Sequence, residues 1–358
     1  MKKLFQWIAR NERHLSTAVF VGGFVFDNIV YTRVDLPWVT SFFVTFLIAA
    51  ALTILVNFTL RREKPDVAPS YKRPFYTLVP LATQFFIGAL LSGCFIFYLR
   101  SASLAASWPF LLLLAVVFVG NEAFRKYREQ LVFQLSLFFF TLYAYAIFAL
   151  PIARGKMDAI IFLESGLVSV VVFAAFLALL WVVGKKRLSE SMRRITIAAV
   201  AILAVVNISY FTNILPPLPL ALKDAGIYHA LVKTGAGYAV QAETGDWNPL
   251  SRTVVHHVAG TPLYAYSAIF APVRLTTPIV HRWQRYDESK GEWVTIASIA
   301  FPISGGRDGG YRGYSTLTSV SAGEWRVSIE TEGGSVLGRE RFTVETVTAQ
   351  PVQHTEIK

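Results

Sequence analysis

Along the first 216 residues, apolar positions run unbroken for about twenty residues at a time, with no polar stripe returning at helical spacing. Seven such runs lie near residues 15–32, 37–60, 76–99, 103–120, 131–152, 159–183 and 195–215. A bilayer's hydrocarbon core is about 30 Å thick, so each run is long enough to cross it as a helix. Buried helices of a soluble core would keep a polar face, whereas LIAAALTILV (47–56) and LLLLAVVFVG (111–120) are apolar all round. The pattern predicts a seven-helix transmembrane domain over 1–216, closed by Pro216–Pro217, where the missing donors and fixed φ stop a helix.

Beyond residue 217 the rhythm shortens. ALKDAGIYHALVKT (221–234) reads as a short amphipathic helix within a junction over 217–250. Seven β-rich runs follow, separated by turn residues: TVVHHV, LYAYSAIF, PIVHRWQRY, EWVTIASIAF, YRGYSTLT, EWRVSIET and VLGRERFTVE. They predict an all-β sandwich over 251–347, immunoglobulin-like in type, and QPVQHTEIK falls in a flexible tail over 348–358. Alternation sets Ile279, His281 and Trp283 on one strand face and Trp325, Val327 and Ile329 on another. His281, Trp283 and Trp325 are therefore expected in the core rather than on a ligand platform.

Composition sharpens this division. Hydrophobic residues make up 54% and charged residues 16%, against about 25% charged in soluble domains, which excludes disorder and a single soluble domain. The net charge of +11 lies wholly in the apolar half, with 21 Lys/Arg against 10 Asp/Glu up to residue 216 and 13 of each afterwards. A nucleic-acid partner is not implied. Instead the basic residues alternate between connections. The N-terminus and the second, fourth and sixth connections carry 17, including Lys2, Arg61, Arg125 and Lys185, and the others carry only Arg33, Arg100, Arg154 and Lys156. Such a bias predicts a cytoplasmic N-terminus and a C-terminal domain outside. The first run contains Asp27 and lacks a small-residue cleavage site, so it reads as an anchor. Trp7, Trp38, Tyr98, Trp108, Trp181 and Tyr210 fall near run ends, as an interfacial belt requires. The inner connections are too short to hold a kinase or nucleotide-binding domain.

Candidate chemistry is sparse. The lone Cys94 excludes an internal disulfide. GGRDGGYRG (305–313) lacks dinucleotide-fingerprint spacing and reads either as a tight turn with structural arginines or as a ligand site. In the second reading Arg307, Tyr311, Arg312 and Tyr314 meet an acidic or sugar-like group. His256 and His257 are adjacent on a strand and point to opposite faces, so they cannot form one metal pair. No nucleophile motif joins Ser, His and Asp, and no enzyme, metal or cofactor is expected. Within the apolar half, Asp27, Arg100 and Glu164 fall at similar depth and are expected to form an outward-facing polar cluster, with separate hydration at the headgroups as the alternative.

Ile279-x-His281-x-Trp283, GGRDGGYRGYS (305–315), GEWRV (323–327), and Gly338-Arg339 with Phe342 together resemble a bacterial domain-of-unknown-function family. PPLPLALKDAGIYH (216–229) resembles the junction in such proteins, so the likeness covers about residues 216–346. The resemblance implies a domain following a multi-pass membrane half, and implies no reaction. The combined expectation is a bacterial inner-membrane protein presenting a periplasmic β-sandwich to an envelope polysaccharide or a protein partner. Its rivals are a small transporter with Asp27 and Glu164 on the path, and a sensor working through a separate cytoplasmic protein.

Overall fold

The computed structural model describes residues 22–60, 73–123, 130–235, 237–243, 253–273, 275–307 and 309–358. Trp7 and most of the basic residues at the N-terminus and in the connections near 61–72 and 124–129 lie outside this set. The chain divides into two compact units, one helical and one formed mainly by residues 212–358.

Among the described residues the N-terminal half contains six helices: α1 (22–30), α2 (Pro37–Leu60), α3 (Arg73–Ser101), α4 (Leu104–Ala123), α5 (Leu131–Arg154) and α6 (Ala159–Phe211). Four contain stretches long and apolar enough to cross a membrane, and α4 carries a shorter one, Ala106–Asn121. Their outward side chains include Ile48, Leu52, Val171 and Val182, an apolar exposure that a water-facing surface does not tolerate over such lengths. Pro37 opens α2, where no donor is required.

Helix α6 is 53 residues long and leaves helical geometry at Gly184 (φ −157°, ψ 61°). Phe162 nonetheless stacks on Tyr210 at 3.7 Å between ring centroids. A straight helix would hold these residues about 70 Å apart at 1.5 Å per residue. The element is therefore two antiparallel arms reversing at Gly184. The reversal takes a single break where a loop over 184–194 was expected, so Lys185, Lys186 and Arg187 are helical. Arg187 donates to the Phe58 carbonyl (3.0 Å) and lies over the Phe58 ring (5.2 Å), satisfying an acceptor near the end of α2. The last helix ends at Phe211, before Pro216, because Asn213 adopts a left-handed φ of 57°. Tyr98 departs from the expected interfacial belt: it is buried and donates to the Ala144 carbonyl at 3.1 Å.

The β unit contains eleven strands among its described residues. They are β1 (Ala221–Tyr228), β2 (Ala230–Thr234), β3 (Gly237–Glu243), β4 (Thr253–Val258), β5 (Leu263–Phe270), β6 (Thr276–Asp287), β7 (Glu292–Ser304), β8 (Tyr311–Leu317), β9 (Gly323–Thr331), β10 (Val336–Val347) and β11 (Gln353–Ile357). They form a three-stranded sheet β1-β5-β8, a five-stranded sheet β4-β10-β9-β6-β7 and a second three-stranded sheet β11-β3-β2. Only β4–β10 is parallel among the pairs. Leu263, Ala265 and Leu317 share one core with Trp283, Trp325, Val327, Phe342 and Val344, so β5 and β8 pack face to face on the five-stranded sheet. Alternate β5 residues, Tyr266 and Ala268, pack with Val240 of β3, which places the third sheet on the opposite face. Strand β5 is thus covered on both sides, and its LYAYSAIF run carries no polar face.

Two expectations fail here. The segment 221–234 forms strands β1 and β2 rather than an amphipathic helix, and with β3 these place the described part of the junction, up to Glu243, in the sheet structure. A bulge between Leu222 and Asp224 shifts the alternation, spacing the inward residues Leu222, Ala225 and Ile227 in a way that mimics a helical face. The tail forms β11, paired with β3 from Gln353 through Ile357, since the edge of β3 would otherwise expose a row of unpaired backbone groups. The unit also takes in residues 101–108 and 151–159: Met157 packs on its core and Thr276 N donates to the Gly155 carbonyl at 3.2 Å.

Candidate functional site

Strand β8 carries most of the predicted ligand residues, and its alternation separates them. Ser315 and Leu317 face the core shared with the five-stranded sheet, and so does Tyr311, which packs beside Ile269 and Ile303. Arg307 lies over the Tyr311 ring at 5.5 Å, a cation–π contact on that side. Arg312 and Tyr314 point the other way, so the four residues do not converge on one group. Glycine in this run has local causes. Gly310 has φ +87°, and a Cβ there would stand 2.8 Å from Ile269 N; a side chain at Gly313 would collide with the Phe301 ring.

Arg312 and Tyr314 have other company. Tyr314 pairs in register with Tyr266, and its ring lies 5.8 Å from Tyr238 and 6.3 Å from Tyr264. Tyr314 is 44% exposed, whereas Tyr266 is buried and its hydroxyl is pushed up to about 12 by that burial, against the pull of Arg312. The result is a tyrosine shelf at the margin of the central sheet, with the Arg312 guanidinium two residues along the same strand. Such a shelf offers ring faces for apolar contact, hydroxyls for hydrogen bonds and a planar cation for an acidic group. Tyr264 was legible from its place in LYAYSAIF, but Tyr238 reaches the shelf only because β3 folds across β5.

The core residues form a polar chain between sheets. His281 is buried, with Nε2 2.8 Å from Ser267 Oγ and Nδ1 2.9 Å from Ser315 Oγ, and Trp283 Nε1 donates to Ser315 Oγ at 2.9 Å. Every atom is satisfied if Ser315 donates to Nδ1 and Nε2–H donates to Ser267, the neutral form. Burial pushes the imidazole down to about 4, in keeping with that form. Trp325 is also buried and donates to the Ser321 carbonyl at 2.8 Å.

A second polar group was not foreseen. Glu243, at the end of β3, accepts from His229 Nε2 (2.7 Å) and from His256 Nδ1 (2.8 Å) and N (2.6 Å). Burial alone would lift the Glu243 carboxyl, but these hydrogen bonds outweigh it and hold it below the usual range; the same contact raises His256. His257 points the other way and meets the Thr261 carbonyl at 2.8 Å. No group of three or more candidate ligands suited to a metal occurs among the described residues.

In the helical unit the expected polar cluster is divided. Asp27 accepts from Ser92 at 2.6 Å, while Arg100 donates to the Asn28 and Thr32 carbonyls at 2.6 and 3.2 Å. Arg100 thus caps the C-terminal end of α1 instead of pairing with Asp27, because those carbonyls have no helical donor. Glu164 is half-buried on α6.

Residues 276–344, spanning β6 to most of β10, match the model of DUF2914, a family described as a protein of unknown function. The C-terminal part of the chain therefore carries this domain. No curated protein matches the chain. Among solved structures, a Pseudomonas fluorescens alkylpurine DNA glycosylase bound to DNA containing an abasic site analog aligns over 78% of this chain and 75% of its own. At 11% identity and a TM-score of 0.22, that likeness carries neither fold nor function.

Proposed function

We propose that this chain is a multi-pass protein of the bacterial inner membrane that holds a non-enzymatic binding domain in the periplasm. The reversal of α6 supports seven crossings: α1 to α5 and the two arms. Seven crossings, with the basic residues gathered on alternate connections, favour a cytoplasmic N-terminus and an external β unit. The two face-packed sheets, with β4 running parallel to β10 at one edge, support an immunoglobulin-like reading of the sandwich, to which β11-β3-β2 is an addition.

The observation that carries the binding reading is the shelf of Tyr238, Tyr264 and Tyr314 beside Arg312. Stacked phenol rings next to one guanidinium suit a sugar bearing an acidic group, which makes an envelope polysaccharide the favoured ligand over a protein. The test is retention of the purified full chain, in neutral detergent, on immobilised acidic envelope polysaccharide. Arg312→Ala and Tyr314→Ala should each lose retention while keeping the melting temperature. Retention equal to that of the unaltered chain would overturn the reading.

A further inference from the structure

On the outer face of the five-stranded sheet, three adjacent strands bring four arginines together. Cross-strand register sets Arg341 of β10 directly opposite Arg326 of β9, which is opposite Gln284 of β6. One rung along, Arg339 and Arg282 flank Ser328. Facing residues sit about 5 Å apart, so like charges at these positions repel and destabilise an empty sheet. One acid answers them at close range: Glu330 forms an ion pair with Arg282. Of the other acids on this face, Glu345 sits opposite His256, with a carboxylate oxygen 3.9 Å from its Nε2, and Glu324 sits opposite Thr343, one rung beyond Arg326 and Arg341.

That leaves three guanidinium groups. Arg326 is fixed in place: its Cζ lies 4.3 Å from the Trp293 ring centroid, and its Nε donates to Gln284 at 2.8 Å, which leaves the fork of two terminal nitrogens free of that bond. Burial first, and then the neighbouring Arg339 and Arg341, pull its pKa down to about 10 against the opposing pull of Glu330. Arg339 Nε is buried and has no hydrogen-bond acceptor among the described residues. Arg341 is exposed and makes no hydrogen bond or salt bridge among them. A buried donor left unpaired is destabilising and calls for an acceptor.

We propose that Arg326, Arg339 and Arg341 form a binding site for a phosphate group on the outer face of this sheet. The geometry favours phosphate over a carboxylate. Three cations exceed what one carboxylate neutralises, whereas a phosphate monoester carries close to two negative charges and three acceptor oxygens. Planar forks on neighbouring strands present paired donors to such an anion, as ammonium groups do not. Trp293 fixes the Arg326 fork before the ligand arrives and so limits the entropy lost on binding. The site lies on a different sheet from the tyrosine shelf and does not depend on it.

The test is equilibrium dialysis of the full chain, in neutral detergent, against radiolabelled inorganic phosphate. Saturable binding of one phosphate per chain is expected. Arg341→Ala and Arg326→Ala should each weaken it about tenfold or more, the worth of a charge-assisted hydrogen bond. Arg326→Lys, which keeps the charge but loses the fork, should weaken it as well, with melting temperatures confirming the fold. Arg312→Ala should bind normally. Competition with short-chain phosphatidic acid distinguishes the source: displacement far tighter than by phosphate itself marks a lipid headgroup, and equal potency marks a free phosphate. Absence of saturable binding, or unchanged binding in the Arg326→Ala/Arg341→Ala double variant, would overturn the site.

Discussion

His281 has no contact with water, so its proton affinity becomes part of the stability of the β unit. Its folded pKa lies near 4 against 6.5 for the free side chain, so the unfolded chain binds the extra proton between those values. The contribution is complete above pH 6.5 and is lost as pH falls toward 4, by about 3 kcal/mol at most. Denaturation of the β unit followed by near-ultraviolet circular dichroism should therefore show stability falling across pH 6.5 to 4. His281→Gln should remove that slope; an unchanged slope would show that the imidazole is not the titrating group. His256 has the opposite sign, since its raised pKa adds stability at low pH that is lost as pH rises through the folded value. Trp283→Ala should cost about 3–5 kcal/mol in the same assay, by emptying a core position and removing the donor to Ser315.

Each element depended on its neighbours to a different extent. The helices were readable because an unbroken apolar run of about 20 residues is the pattern of a helix long enough to cross a bilayer. The seven strands from TVVHHV to VLGRERFTVE were readable because alternation and turn residues agreed. Strands β1 and β11 were not, since β1 carries a bulge that disguises its period and β11 is polar. Its only evident driving force is the open edge of β3. Deleting residues 352–358 should therefore lower the melting temperature of the β unit by several degrees, where a loose tail would leave it unchanged. For α6, cysteines introduced by Phe162→Cys and Tyr210→Cys in a Cys94→Ser background should cross-link readily under mild oxidation. Failure to cross-link would restore a continuous helix.

For the molecule as a whole, orientation is the first quantity to measure. A reporter fused after residue 345 should be active only outside the cytoplasm, and activity of a cytoplasm-only reporter there would invert the proposed topology. Residues 217–358 expressed alone should give a β-rich spectrum but melt below the full chain, because Met157 and the Gly155 acceptor come from outside that fragment. The sequence by itself determined the division into an apolar helical half and a β half, the asymmetry of its charge and the burial of Trp283 and Trp325. These follow from hydrophobic period and charge count, which are local and additive. Only the tertiary structure decided which side chains meet. Alternation on β8 parted Arg307 and Tyr311 from Arg312 and Tyr314, and the fold of β3 across β5 supplied Tyr238 to the shelf. The register of β6, β9 and β10 gathered arginines up to 59 residues apart in sequence, from Arg282 to Arg341. Contacts of this kind depend on pairing between distant strands, which no local pattern specifies.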